Sequence, residues 1–253
     1  MARDAREGSR RPTGGFTLVE LLVVVSIICL LMSVLLPSLT RAQKQAERTH
    51  CLANQHQLFL AWMLYITSND DRLCCPQTFE SALKPYVPLE DVFLCKTAES
   101  GTGRSGHRSN SYGVSNTMGG ESRDGVQPHK RFHKISLPGE CMVFADRAAN
   151  ASLCYWPLLR DRTHKRWLWR PPDLFGVGGI TSRHGNGCNM TFADGHGKMI
   201  HWKDPRTLGL IRGTIADEVE ASSTNADLDF LVRVLVGGRP VQDENQEEGT
   251  EVE

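Results

Sequence analysis

The sequence predicts an α+β chain, with a long N-terminal α-helix followed by a head of short strands joined by long loops. Three observations carry that expectation: an unbroken apolar run from Phe16 to Leu36, a periodic stretch beyond Pro37, and alternating apolar segments in the second half. The chain has 253 residues with 29 basic and 29 acidic side chains, so its formal net charge is zero. A single apolar run argues against a polytopic membrane protein, and balanced charge lacks the basic excess of a nucleic-acid binder. The balance conceals opposite ends. Residues 1–15 hold Arg3, Arg6, Arg10 and Arg11 against Asp4 and Glu7, whereas residues 242–253 hold six acids and no base.

The run from Phe16 to Leu36 contains 21 residues with Glu20 as its only charge. As a helix it is roughly 31 Å long, enough for one bilayer crossing. Arg10 and Arg11 precede it, which places the N-terminus in the cytoplasm and the remainder across the membrane. A secretory signal peptide also starts with basic residues and an apolar core, but this run is longer, has no small-x-small cleavage site at its far end, and continues into amphipathic helix. Glu20 is the residue that needs a reason. A carboxylate there costs ~2.5 kcal/mol or more on insertion scales, so it calls for a cationic partner. The plain alternative is an ordinary signal anchor with an accidental Glu.

Beyond Pro37 the apolar residues become periodic. Leu39, Ala42, Ala46, Thr49, Ala53, Leu60 and Leu64 fall at helical spacing, and Leu52, Phe59, Met63 and Ile66 broaden the expected buried face. Arg41, Lys44, Gln45, Glu47 and Arg48 are assigned to the solvent side, and Asn69-Asp70-Asp71 to the helix end. Turn residues crowd 96–125 and 170–187. The most strand-like segments are Glu140–Ala145, Cys188–Ala193 and Gly197–Trp202; the last two flank Asp194-Gly195, which predicts a hairpin with a type I′ turn. Asp227–Val236 reads as a short helix, and the acidic stretch 242–253 as a solvated tail.

Two motifs resemble known families. Gly14-Gly15-Phe16-Thr17-Leu18-Val19-Glu20 resembles the processing site of type IV prepilins and type II secretion pseudopilins, and Pro37 matches that family's helix proline. The resemblance implies cleavage by a prepilin peptidase after Gly15 and N-methylation of the Phe16 amine by the same enzyme. The new amine would then supply the cation for Glu20 of an adjacent subunit and set the axial register. The resemblance also implies a pilin-like fold, in which the second half of the helix packs on an antiparallel sheet. His184, nine intervening residues and Asp194-Gly195 are similar to the C-terminal signature of a prepilin-like family named for that His-x9-Asp-Gly segment. Cys51, Cys95, Ser111-Tyr112-Gly113 with Asn116, and Pro138-Gly139-Glu140 are further points of likeness, while 150–175 reads as a variable insertion. The implied organisation is a leader at 1–15, a transmembrane helix at 16–36, an amphipathic continuation at 37–68, a periplasmic or extracellular head at 69–241 containing the signature at 184–195, and the tail.

His184 and Asp194 admit two readings. With His196 and Asp146 they form a candidate metal or general-base site; alternatively Asp194 is a turn residue and His184 bonds the turn or the neighbouring strand. The structural reading is favoured, because Gly-x-Ser-x-Gly, His-Glu-x-x-His and Gly-x-x-x-x-Gly-Lys are all absent. Gly101–Gly106 has the form Gly-x-Gly-x-x-Gly but lies in a polar turn region. Of eight cysteines, Cys29 lies in the apolar run; none forms a Cys-x-x-Cys pair. Disulfides are expected in an oxidising compartment, with Cys51–Cys95 as the first candidate pair, although spacing does not fix connectivity, and Cys141 and Cys188 have the context of free buried thiols. Residues 156–170 combine Trp156, Trp167 and Trp169 with five basic residues including Arg170. That patch suits an acidic polysaccharide or nucleic acid, or else Trp167 and Trp169 simply cover a core.

Taken together, the expectation is a processed pilin-like or pseudopilin-like subunit, single-pass in the inner membrane, that assembles with other such subunits into a filament or secretion apparatus. It is expected to have no enzymatic activity, cofactor, metal or small-molecule substrate. The rival readings are a membrane-tethered binding module using the Trp/Arg segment and, less favoured, a metal-dependent enzyme at His184 and Asp194.

Overall fold

The computed structural model describes residues 17–87, 89–98, 110–122, 126–148, 154–155, 158–161, 166–169, 179–212, 219–220 and 225–236. The chain divides into two compact units, Met1–Gln45 and Ala46–Glu253.

Helix α1 spans Leu18–Ser68 and includes Pro37. Among the described residues it is the one helix long and apolar enough to cross a membrane. In the first unit its side chains are exposed throughout, as suits a helix solvated by lipid rather than protein. The hydroxyls in this stretch bond back to their own helix: Ser26 to the Leu22 carbonyl (2.8 Å), Ser33 to Leu30 (2.7 Å), Ser38 to Leu35 (2.8 Å) and Thr40 to Leu36 (3.0 Å). No polar group among them is then left bare in hydrocarbon. The helix ends where predicted, because Asp70 (φ 53°) and Asp71 (φ 64°) turn left-handed and the Asp71 N–H donates to the Ile66 carbonyl (3.0 Å).

The second unit is the α+β head. Its central sheet has β1 (Tyr112–Ser115), β2 (Met142–Asp146), β6 (Gly187–Phe192) and β7 (Gly197–His201) as antiparallel neighbours in that order, with β3 (Cys154–Tyr155) parallel to β1 at one edge. A second sheet, β4 (Leu158–Asp161), β5 (Arg166–Trp169) and β8 (Val219–Glu220), is formed largely by the stretch expected to be a variable insertion. Helices α2 (Phe79–Leu83), α3 (Pro205–Arg212) and α4 (Ala226–Val236) complete it. The expected short helix is α4. Strand β1 was not anticipated: it lies inside a stretch read as turns, since Gly113, Ser115 and their neighbours carry turn composition and are strand only by pairing with β2.

The central sheet separates two cores. On one side Cys51, Leu58, Phe59, Trp62 and Ile66 of α1 pack with Phe79, Phe93, Tyr112, Val114 and Phe144. On the other, Cys188, Met190, Ile200 and Trp202 pack with Leu210 of α3 and Leu228, Leu231 and Leu235 of α4. A register shift between Met142 and Phe144 lets Val143 and Phe144, although adjacent, both face the α1 core.

The orientation of α1 differs from expectation. Phe59 and Ile66 are buried as expected, together with Cys51, Asn54, Gln55, Leu58, Ala61 and Trp62, whereas Leu39, Ala42, Ala46, Thr49, Ala53, Leu60 and Leu64 are exposed. Glu47 and Arg48, assigned to solvent, are half-buried. The reason is that two amides sit on the true inner face. Gln55 donates from Nε2 to Asp146 Oδ1 (3.0 Å) and to the Asn189 carbonyl (3.1 Å), and accepts from Thr191 Oγ1 (3.0 Å). Asn54 donates to the Leu94 carbonyl (3.0 Å). Hydropathy alone cannot count such satisfied amides as core.

Candidate functional site

The N-terminal site is built by the first helical turn. Thr17 precedes α1 and Glu20 is its third residue, the spacing of a capping box. Glu20 Oε2 accepts from the Thr17 N–H (2.9 Å) and the Thr17 hydroxyl (2.8 Å), while the Glu20 N–H donates to Thr17 Oγ1 (3.3 Å). The carboxylate thus has a neutral partner in Thr17, which leaves its charge still calling for a cation. Thr17-Leu18-Val19-Glu20 carries the Thr-x-x-Glu signature of that motif in the sequence itself. Gly15 and Phe16, the cleavage and methylation positions, lie outside the described residues.

In the head, His184 and Asp194 lie at opposite ends of β6 and do not form a common site. The candidate metal or base pairing between them is therefore corrected: a six-residue strand separates their backbones, so each meets different partners. Asp194 Oδ1 accepts from the His196 N–H (3.0 Å) and lies 2.7 Å from His196 Nδ1, and the His196 ring stacks on Phe192 with centroids 4.2 Å apart. Burial pushes the Asp194 carboxyl up, but the His196 contacts outweigh it and hold the carboxyl below its usual range.

The hairpin turn also differs from the predicted type I′. Of Asp194 and Gly195 only Gly195 has positive φ (90°), and the Gly195 N–H donates to the Phe192 carbonyl (2.9 Å) while the Phe192 N–H donates to the His196 carbonyl (3.0 Å). That is a three-residue loop closed by a left-handed glycine. A Cβ on Gly195 would stand 2.7 Å from a Phe59 ring carbon. Gly195→Ala is expected to cost about 1–3 kcal/mol from backbone strain alone, read as a lower denaturation midpoint of the full chain in detergent. Two consecutive left-handed residues occur instead at Gly185 (φ 66°) and Asn186 (φ 62°), in the turn that follows His184.

His184 is buried, and its Nε2 lies 3.7 Å from Cys95 Sγ and 3.6 Å from Asp146 Oδ2. Cys51 Sγ completes a cluster in which the Cys51, Cys95 and His184 donor atoms all lie within 4.8 Å of one another. The expected partners Cys51 and Cys95 do meet, and the structure carries both as thiols. Hydrogen bonding between them draws the Cys95 thiol well below its ordinary value, helped by His184, Thr97 and Arg183 against the effect of burial. The same bond, with burial, pushes Cys51 up. Asp146 accepts from the Asn189 N–H at Oδ2 (2.7 Å); burial pushes its carboxyl up to about 6 despite His184 and that N–H. Sequence reasoning named each of these residues but not their convergence, because they come from α1, a loop, β2 and the turn before β6. Cys74, Cys141 and Cys188 are buried, and Cys29 and Cys75 are exposed.

Of the Trp/Arg segment, Trp167 and Trp169 belong to β5, whereas Trp156 and Arg170 lie outside the described residues, as do Gly101–Gly106 and the tail at 242–253.

With these geometries in hand, comparison with known proteins bears on the first site. Residues 10–36 match the model of the prokaryotic N-terminal methylation motif. The N-terminal segment is prepilin-like. The match spans the candidate cleavage position, Glu20 and the membrane-compatible part of α1, which is the segment a prepilin peptidase processes. Searches of curated proteins and of solved structures return no match.

Proposed function

We propose that the chain is a processed pilin-like or pseudopilin-like subunit, anchored in the inner membrane through α1, with its head on the far side, and that it assembles with other such subunits. The observation that carries this reading is the methylation motif at residues 10–36. Two structural features support it. Side chains of the apolar stretch Leu18–Leu36 are exposed, so they need lipid or other helices as surroundings. Within the head unit, Ala46, Ala53, Leu60 and Leu64 leave a small-and-apolar stripe of α1 outside the core, a surface suited to the helix of a neighbouring subunit.

In this role the protein does mechanical or display work. Cleavage removes the four arginines and two acids of the leader, leaving 25 basic against 27 acidic groups. It also creates a terminal ammonium at the membrane edge, four residues before Thr17-capped Glu20. Mass spectrometry of the mature protein tests the reading: the N-terminus is expected at Phe16 carrying one methyl group, and replacement of Gly15 by a bulky residue is expected to leave the leader attached. An intact Met1 terminus, or cleavage beyond Pro37, would sink it.

A further inference from the structure

The cluster around His184 has no part in processing or helix assembly, yet it gathers donors of a kind that structural metals use. We propose that Cys51, Cys95 and His184 form a Zn2+ site, with the Asp146 carboxylate beside it, that pins the second half of α1 to the central sheet. This proposal is independent of the filament reading, since all four residues lie within the head unit.

Two of the separations match those of a tetrahedral centre. With Zn–S of about 2.3 Å and Zn–N of about 2.0–2.1 Å, a tetrahedron places sulfur and nitrogen about 3.6 Å apart, and nitrogen and oxygen about 3.3 Å apart. The structure has Cys95 Sγ to His184 Nε2 at 3.7 Å and His184 Nε2 to Asp146 Oδ2 at 3.6 Å. The latter is too long for a hydrogen bond. Thiolate and imidazole together select a borderline-soft ion such as Zn2+, and Asp146, with Oδ2 3.6 Å from His184 Nε2, offers an oxygen donor beside the three.

The surroundings have the makings of an outer shell. Asp146 is oriented by Gln55 Nε2 and the Asn189 N–H. The Tyr112 hydroxyl is buried and lies against Cys51, in place to donate to a metal-bound thiolate. Arg183 lies near enough to favour the negative forms of Cys95 and Asp146, and its Nη1 is likewise buried without a partner. Two thiolates and one carboxylate against Zn2+ leave one negative charge, which that guanidinium balances. A Cys51–Cys95 disulfide would consume both sulfurs and with them two of the three ligands.

The test uses the full chain extracted from membranes in detergent, with metal content and thiol state measured on the same sample. Expected are about one zinc per chain, Cys51 and Cys95 unlinked by mass spectrometry after alkylation, and, after exchange with Co2+, the absorption of a thiolate-ligated tetrahedral ion. Cys95→Ser should lose the zinc, while Cys75→Ser, at an exposed thiol, should keep it. If Cys95→Ser does not accumulate, the Co2+ spectrum of the unsubstituted chain decides alone. A Cys51–Cys95 disulfide, free thiols without metal, a Co2+ spectrum lacking thiolate bands, or zinc retained by Cys95→Ser would each overturn the proposal.

Discussion

Glu20→Gln is expected to abolish assembly while leaving helix α1 and its membrane insertion intact. Gln can still accept from Thr17 at the third helical position, so the capping box survives and only the charge is lost. If the carboxylate pairs with the Phe16 ammonium of a neighbour, its removal leaves that ammonium uncompensated in a low-dielectric setting, which typically costs about 3–5 kcal/mol per contact. That is roughly a 10²- to 10⁴-fold loss of subunit affinity, repeated at every interface. Thr17→Val is the complementary variant: it removes the hydroxyl donor and keeps the charge, so it should trim helix stability by about 1 kcal/mol and spare assembly. Cross-linking of subunits in membranes, compared across the two variants, reads the difference. Normal assembly of Glu20→Gln together with failure of Thr17→Val would mean that the glutamate serves only to start the helix.

The second large effect is Trp62→Ala, expected to destabilise the head by about 3–5 kcal/mol. Trp62 is fully buried and contacts three rings, Phe59, Phe132 and Phe144, with centroids 6.0, 5.8 and 6.4 Å away. Its loss opens a cavity where α1 meets β2, and the rigid sheet is poorly placed to collapse into it. Leu60→Ala, two residues earlier at a position 50% exposed, is the control and should change stability by less than about 0.5 kcal/mol. Denaturant midpoints of the full chain in detergent measure both. Equal effects would show that the inner face of α1 runs through Leu60, as its hydropathy predicts.

That contrast shows where sequence reading stopped. The periodicity after Pro37 established a helix correctly and its end at Asp70-Asp71, because those are properties of local spacing and turn chemistry. It misplaced the buried face, because Leu60 and Leu64 look more like core than Asn54 and Gln55 do. Only the amides' distant partners, Leu94, Asp146 and Asn189, make them interior residues. The hairpin at Asp194-Gly195 was legible for the same local reason as the helix, whereas its turn type depended on how β6 and β7 register.

Local chemistry therefore determined the membrane-length apolar helix, the processing motif before it, the existence of the β6–β7 hairpin and the α+β class. Tertiary structure alone decided which side of α1 faces the sheet, that His184 parts company with Asp194, and that Cys51, Cys95, His184 and Asp146 come together. The physical reason is range: capping, hydropathy and turn preferences act over a few residues, while those four side chains are separated by up to 133 positions and meet only once the sheet has closed against the helix.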